Sequence, residues 1–165
     1  PYYSRNLRDV IDTENDSFVL LSYIIQLCEA IQFIHNHDDH IIHRDLKPEN
    51  ILMGQDGQLK LVDFGSADMG QSYRAVITGT KGYGAPEQWW DRRQVDKCSD
   101  VYALGKVMYF MLGERKIDRW LGDLLADCVA INTKERIPDM RCFLARLRAK
   151  KRGKGKFYYQ QNVLR

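Results

Sequence analysis

The ten residues Ile41 to Asn50, IIHRDLKPEN, put a base, two cations and a metal-ligating amide on one short loop behind an apolar pair. Asp45 can accept a proton, Arg44 and Lys47 can offset negative charge, and the Asn50 side-chain oxygen is a hard ligand of the kind magnesium takes. Thirteen residues after Asn50, Asp63-Phe64-Gly65 supplies a second carboxylate. A proton acceptor beside cations and hard oxygen ligands suits chemistry on a phosphate, where charge must be offset and a hydroxyl held in line.

Such groups work only if the surrounding elements bring them together. Residues 1–12 read as an extended lead-in and a short helix with Leu7, Val10 and Ile11 on one face. From Phe18 to Ile34 thirteen of seventeen positions are apolar, and Ser22, Gln26, Glu29 and Gln32 recur at steps of four, three and three. That pattern predicts a helix with a thin wet stripe. A polar turn at 35–40 leads to Ile41-Ile42, a short strand into the loop. Ile51–Met53 and Leu59–Val62 form a hairpin, with Asp56-Gly57 as its turn signal. The hairpin ends at Asp63, so Asp45 and Asp63 sit at strand ends that it can bring together.

Residues 66–84 are rich in Gly, Ser and Thr and lack periodicity. Ser99 or Asp100 is then expected to cap a helix through Leu112, stopped by Gly113, whose only charged interior residue is Lys106. So apolar a helix belongs in the middle of a domain. A third helix aligns Trp120, Leu121, Leu124, Leu125, Cys128 and Val129. A fourth starts at Pro138 with Met140, Phe143, Leu144 and Leu147 inward.

With 165 residues and 44% apolar composition the chain can bury one core. Its net charge of +3 conceals an asymmetry. Residues 146–165 hold eight Lys/Arg and no Asp/Glu, which leaves 17 basic against 22 acidic residues in 1–145. Cys28, Cys98, Cys128 and Cys142 are spaced by 70, 30 and 14, matching neither a paired zinc motif nor a compact disulfide framework, so a reduced, cytoplasmic protein is expected. No apolar run approaches the ~20 residues of a membrane helix, and no secretory leader is seen. His35, His37, His40 and His43 lie within nine residues, but for the two on the polar turn, His37 and His40, loop histidines in water are a better explanation than a metal site.

HRDLKPEN, then Asp63-Phe64-Gly65, Ala85-Pro86-Glu87 and Asp100-Val101-Tyr102-Ala103-Leu104-Gly105, follow one another at the spacing of a known family. From Tyr2 to about Leu147 the chain resembles the C-terminal (large) lobe of a eukaryotic-type (Hanks-type) serine/threonine protein kinase, bacterial-like in its economy. The resemblance implies a mainly α fold with short β-hairpins, with a lobe over residues 1–147 and a basic tail over 148–165. It implies ATP with magnesium, or manganese, as cofactors, and a protein serine or threonine as substrate. It makes Asp45 the acceptor of the substrate hydroxyl proton and Lys47 the residue that steadies the transferred phosphate. Asn50 and Asp63 become metal ligands, Leu52 the floor under adenine, and the Glu49 backbone a neighbour of the ribose. By the same match Glu87 pairs with Arg136, and Asp100 accepts bonds from the catalytic-loop backbone. Phe64 packs on His43, and Thr80 bridges Asp45 and Lys47. Among the activation-segment hydroxyls Ser66, Ser72, Tyr73, Thr78 and Thr80, phosphate on Thr78 or a neighbour would order the segment through Arg44.

The family also has a glycine-rich loop and a strand lysine. Here the first glycine is Gly54 and the first lysine Lys47. Pro1-Tyr2-Tyr3 resembles the hinge between lobes, so the expectation is a large lobe lacking the small β-rich lobe. That lobe would be supplied by the parent chain or in trans, and residues 1–165 alone would be inactive. The fourteen residues between Gly113 and Cys128 leave the family's substrate-docking helix short or absent. Against an enzyme stands a naturally truncated lobe that binds or inhibits another kinase; the retention of Asp45, Lys47, Asn50 and Asp63 favours the enzyme. Uncovered apolar surface would favour self-association. The run Arg146 to Lys156, seven cations in eleven residues before Phe157, Tyr158 and Tyr159, leaves a weak nucleic-acid or membrane alternative.

Overall fold

In the computed structural model, residues 5–68, 78–115 and 117–153 are described. Pro1-Tyr2-Tyr3, Ser72, Tyr73 and the aromatic end of the tail, Phe157 to Tyr159, lie outside them. Helix α1 (Leu7–Ile11) begins at a capping box. The Asn6 side chain accepts from the Asp9 N–H while the Asp9 side chain accepts from the Asn6 N–H, and Leu7, Val10 and Ile11 are buried as the pattern predicts.

Helix α2 (Ser17–His35) starts where Asp16 accepts a hydrogen bond from the Phe18 N–H at 2.7 Å. It buries Leu20, Ile24, Leu27, Cys28, Ile31 and Ile34, at steps of three and four, against α4 (Lys97–Leu112) and α6 (Met140–Gly153). Two details depart from expectation. Phe18 and Phe33 are exposed, whereas Gln26, assigned to the wet stripe, turns inward and accepts the Leu59 N–H at 2.9 Å. Nineteen residues of this composition are also long and apolar enough to cross a membrane, contrary to the sequence estimate. In this fold the helix is instead a core element.

The sheet has three short antiparallel strands in the order β1 (Arg5–Asn6), β2 (Ile51–Met53), β3 (Leu59–Leu61). The hairpin pairs Ile51 with Leu61 and Met53 with Leu59, and Gly57 takes φ +72° in its turn, where a side chain would be strained. β1 adds Arg5 and Asn6 to β2, a pairing with no sequence signal. The Val62 N–H donates to the Asn50 carbonyl at 3.0 Å, so the hairpin sets Asn50 one residue from Asp63 across the ladder.

Helix α4 is buried along most of its length, from Cys98 to Leu112. Its cap is Asp96, not Ser99 or Asp100: Asp96 accepts from the Cys98 N–H and Ser99 occupies the third helical position of a capping box. Helix α5 (Arg119–Cys128) crosses α4 so closely at Gly105 that a Cβ there would lie 2.8 Å from the Cys128 Cβ and 2.9 Å from the Val129 Cγ1. Gly105→Ala should therefore lower stability by about 1–2 kcal/mol net, because overpacking outweighs the gain in helix propensity. An unchanged urea midpoint would show that α5 yields. α6 begins at Met140, two residues after Pro138, with Asp139 accepting the Cys142 N–H at 2.8 Å. It runs to Gly153, past the expected boundary at 147. On it Arg146 pairs with Asp127 at 2.8 Å and Arg148 with Glu29 at 3.6 Å.

Candidate active site

The loop from Ile41 to Asn50 is suspended between α4 and the activation segment. Ile42 makes a single bridge with Asp68, through two 2.9 Å backbone bonds, in place of the expected strand. The next two peptides hang on Asp100, which is fully buried: Oδ2 accepts the His43 N–H at 2.8 Å and Oδ1 the Arg44 N–H at 2.9 Å. His35 at the end of α2 bonds the same carboxylate through Nε2 at 2.8 Å. The His43 Nε2 lies 3.1 Å from the Val62 carbonyl, which can only accept, so Nε2 carries the hydrogen. The His43 ring meets Phe64 at 4.8 Å between centroids. Of these contacts, the family match implies the two backbone bonds to Asp100 and the packing of Phe64 on His43.

Arg44 takes φ +66°, an uncommon conformation for a side chain of its size. Its Nε donates to the Ser66 carbonyl at 2.6 Å and a terminal nitrogen lies 3.5 Å from Asp68. Leu46, fully buried, anchors the following turn. Beyond it the Lys47 Nζ donates to Asp45 Oδ2 and to the Thr80 hydroxyl, both at 2.9 Å, and that hydroxyl donates to Asp45 Oδ1 at 2.7 Å. The Asn50 amide donates to the Asp45 carbonyl at 2.9 Å and to Oδ2 at 3.3 Å from the 3-10 turn Pro48–Asn50. Burial pushes the Asp45 carboxyl up, but the bonds from Lys47, Thr80 and Asn50 outweigh it and hold the group below its ordinary range. Asp45 is thus an ionised acceptor at neutral pH.

Asp63 is exposed, in a left-handed conformation at φ +61°, and accepts the Gly65 N–H at 3.4 Å. Leu52 sits half-buried on β2. The Glu49 side chain pairs with Arg8 at 2.7 Å, and Arg8 covers the Phe110 ring at 4.8 Å. The far end of the activation segment is pinned by α3 (Glu87–Trp90), a short helix with no periodic signal. Arg136 grips Glu87 with two nitrogens, at 2.6 and 3.0 Å, and Ser99 donates to the same carboxylate at 2.7 Å. Sequence reasoning missed three partners: Arg8 for Glu49, Asp68 for Arg44, and Gln88, whose carboxamide ties the Arg44 carbonyl to the Thr78 carbonyl.

The family profile described as protein kinase domain matches residues 4–120. The chain is 40% identical over 97 residues to an Aurora kinase of Schizosaccharomyces pombe, covering 58% of this chain and 26% of that protein. It is 40% identical over 114 residues to the serine/threonine-protein kinase PknB of Mycolicibacterium smegmatis, covering 64% and 18%. Cyclin-dependent kinase 7 of Carassius auratus is 33% identical over 129 residues, covering 72% and 36%. The chain thus spans well under half the length of these curated relatives. Motifs, geometry and relatives agree: the chain belongs to the protein kinase domain family, in its Hanks-type serine/threonine branch.

Proposed function

We propose that this chain is the large-lobe part of a serine/threonine protein kinase, transferring the γ-phosphate of ATP to a serine or threonine of a protein. The observation that carries the reading is the Asp45 carboxylate, ionised and fixed from both sides by Lys47 and Thr80. Oδ1 accepts one bond among the described residues, which leaves it capacity for a substrate hydroxyl. A carboxylate so placed takes up the hydroxyl proton as the new P–O bond forms and the bond to the leaving diphosphate breaks.

Lys47 spends two of its three N–H groups on Asp45 and Thr80, and the third serves a phosphate oxygen. The Asn50 amide nitrogen is committed to Asp45, which leaves its Oδ1 for a cation, and the exposed Asp63 carboxylate keeps spare oxygens. An all-oxygen donor set fits magnesium or manganese better than zinc. When bound, the metal neutralises phosphate charge. Leu52 is assigned to the adenine and the Glu49 backbone to the ribose. The Asp68 carboxylate already faces Arg44, so the segment beginning at Asp63 has a tether that needs no phosphate. Four free cysteines favour a reducing, cytoplasmic setting.

Expressed in its full coding context with magnesium and radiolabelled ATP, the protein should label serine or threonine in a peptide library. Asp45→Asn should lower kcat by ~10²–10⁴-fold with nucleotide binding kept. No transfer by the wild-type protein with either metal would overturn the reading.

A further inference from the structure

We propose that Gln88 is a positioning residue for phosphoryl transfer: its carboxamide clamps the strained Arg44 peptide to the end of the activation segment and so sets where Thr80 meets Asp45. The inference rests on the kinase reading. Gln88 follows the Ala85-Pro86-Glu87 motif and is only 3% exposed. Its side chain makes every bond its amide nitrogen allows and one through its oxygen. Nε2 donates to the Arg44 carbonyl at 2.7 Å and to the Thr78 carbonyl at 2.9 Å, while Oε1 accepts the Ala85 N–H at 2.8 Å. Two carbonyls on one side and an N–H on the other fix the orientation of the amide.

The Arg44 peptide needs such a partner. A non-glycine residue at φ +66° persists only where its surroundings over-determine it. Asp100 holds the Arg44 N–H and Gln88 holds its carbonyl, so the peptide is fixed at both ends one residue before Asp45. The second nitrogen bond lands on Thr78, two residues before the hydroxyl that donates to Asp45. Gly79 between them runs at φ +122°, and a Cβ there would lie 3.0 Å from the Gln88 Nε2, so the segment crosses directly over the amide. One side chain thus references both halves of the Asp45–Thr80 contact to the start of α3. Glutamate would set an acceptor against two carbonyls. Methionine would leave both carbonyls and the Ala85 N–H without a protein partner.

The test compares wild type, Gln88→Glu and Gln88→Met in the full coding context, by steady-state kinetics and by amide exchange of the same proteins. Misplacing the base should lower kcat about 100-fold in both variants. KM for ATP should stay within about twofold, because Gln88 contacts none of the residues assigned to the nucleotide. Exchange over 78–85 and 43–50 should quicken while α4 stays protected. A purely structural role predicts instead that activity falls only with the folded fraction. Retained kcat in either variant, or unchanged exchange over 78–85, overturns the clamp. If wild type itself transfers no phosphate, the kinase reading fails and exchange alone decides whether Gln88 holds the two segments. Gln88→Asn, which keeps the amide on a shorter side chain, supplies the same readouts should the other variants unfold.

Discussion

Arg136→Ala should cost about 3–5 kcal/mol, a large share of the 5–15 kcal/mol that holds a typical domain together. Arg136 and Glu87 are both buried, and all five guanidinium N–H groups are engaged. Two go to Glu87, one to the Cys98 carbonyl at 3.0 Å, one to the Ala130 carbonyl at 2.9 Å and one towards the Ile131 carbonyl at 3.4 Å, with the Tyr102 ring 4.9 Å from the guanidinium carbon. Truncation strands a buried carboxylate, and that desolvation rather than the lost attraction sets the magnitude. Arg136→Lys should also fail, because one ammonium cannot reproduce the two-pronged grip. The double variant Glu87→Leu/Arg136→Met should recover much of the loss, since it leaves no unpaired charge. The pair also carries a pH signature. Burial pushes the Glu87 carboxyl up, but bonds from Arg136 and Ser99 outweigh it and leave the folded value below the ordinary 4.5. A depressed carboxyl contributes stability that is full above pH 4.5 and is lost as pH falls through the folded value. Urea titrations read by circular dichroism should therefore show wild type weakening in acid and Glu87→Gln less so. A loss under about 1 kcal/mol for Arg136→Ala would remove the pair from the fold's supports.

Much of the site could be read from the chain because its residues are chemically unusual and closely spaced. Asp45, Lys47 and Asn50 lie within six positions, so a single turn brings them together whatever the rest of the protein does. The hairpin did the same for Asp63 through a local signal, Asp56-Gly57, whose glycine takes a positive φ. Contacts across longer separations, Thr80 with Asp45 and Glu87 with Arg136, were anticipated only through the resemblance. The residues alone do not say that a hydroxyl 35 positions away will donate to a given carboxylate.

What stayed hidden shares one cause: ordinary polar residues take their meaning from distant partners. Gln88, Asp68 and Arg8 belong to types that normally face water, and nothing within a turn of them marks Arg44 or Glu49 as the destination. Gln26 was set on the solvent stripe by its spacing, yet a backbone N–H left over at β3 captures it. At α4 two candidate caps were rejected by tertiary demand. Asp100 was drawn into the catalytic loop and Ser99 bonds Glu87, so capping fell to Asp96. β1 has only two residues, too few for alternation to show.

Asp100→Ala should be the second severe lesion, at about 3 kcal/mol or more in stability and, on the proposed kinase reading and in the full coding context, with a loss of transfer beyond what unfolding explains. The carboxylate serves three donors from two segments, the N–H groups of His43 and Arg44 and the His35 Nε2. Each bond is charge-assisted, and each donor lies where water does not reach easily, so truncation leaves three demands unmet. Asp100→Asn is the sharper probe because it preserves volume. Its single oxygen can serve one backbone N–H well, while its amide nitrogen faces the other donor, so about half the stability loss should remain. The Arg44 peptide, released on its N–H side, then has less to hold its positive φ, and Asp45 follows it. Transfer should fall about 100-fold in Asp100→Asn even at temperatures where circular dichroism shows the protein folded. The His43 and Arg44 amide resonances should shift upfield as their bonds weaken, while those of α6 stay in place. Wild-type kcat in folded Asp100→Asn would mean that the loop keeps its geometry without this anchor, and that the fit of Asp45 is set instead by Gln88, Lys47, Thr80 and Asn50.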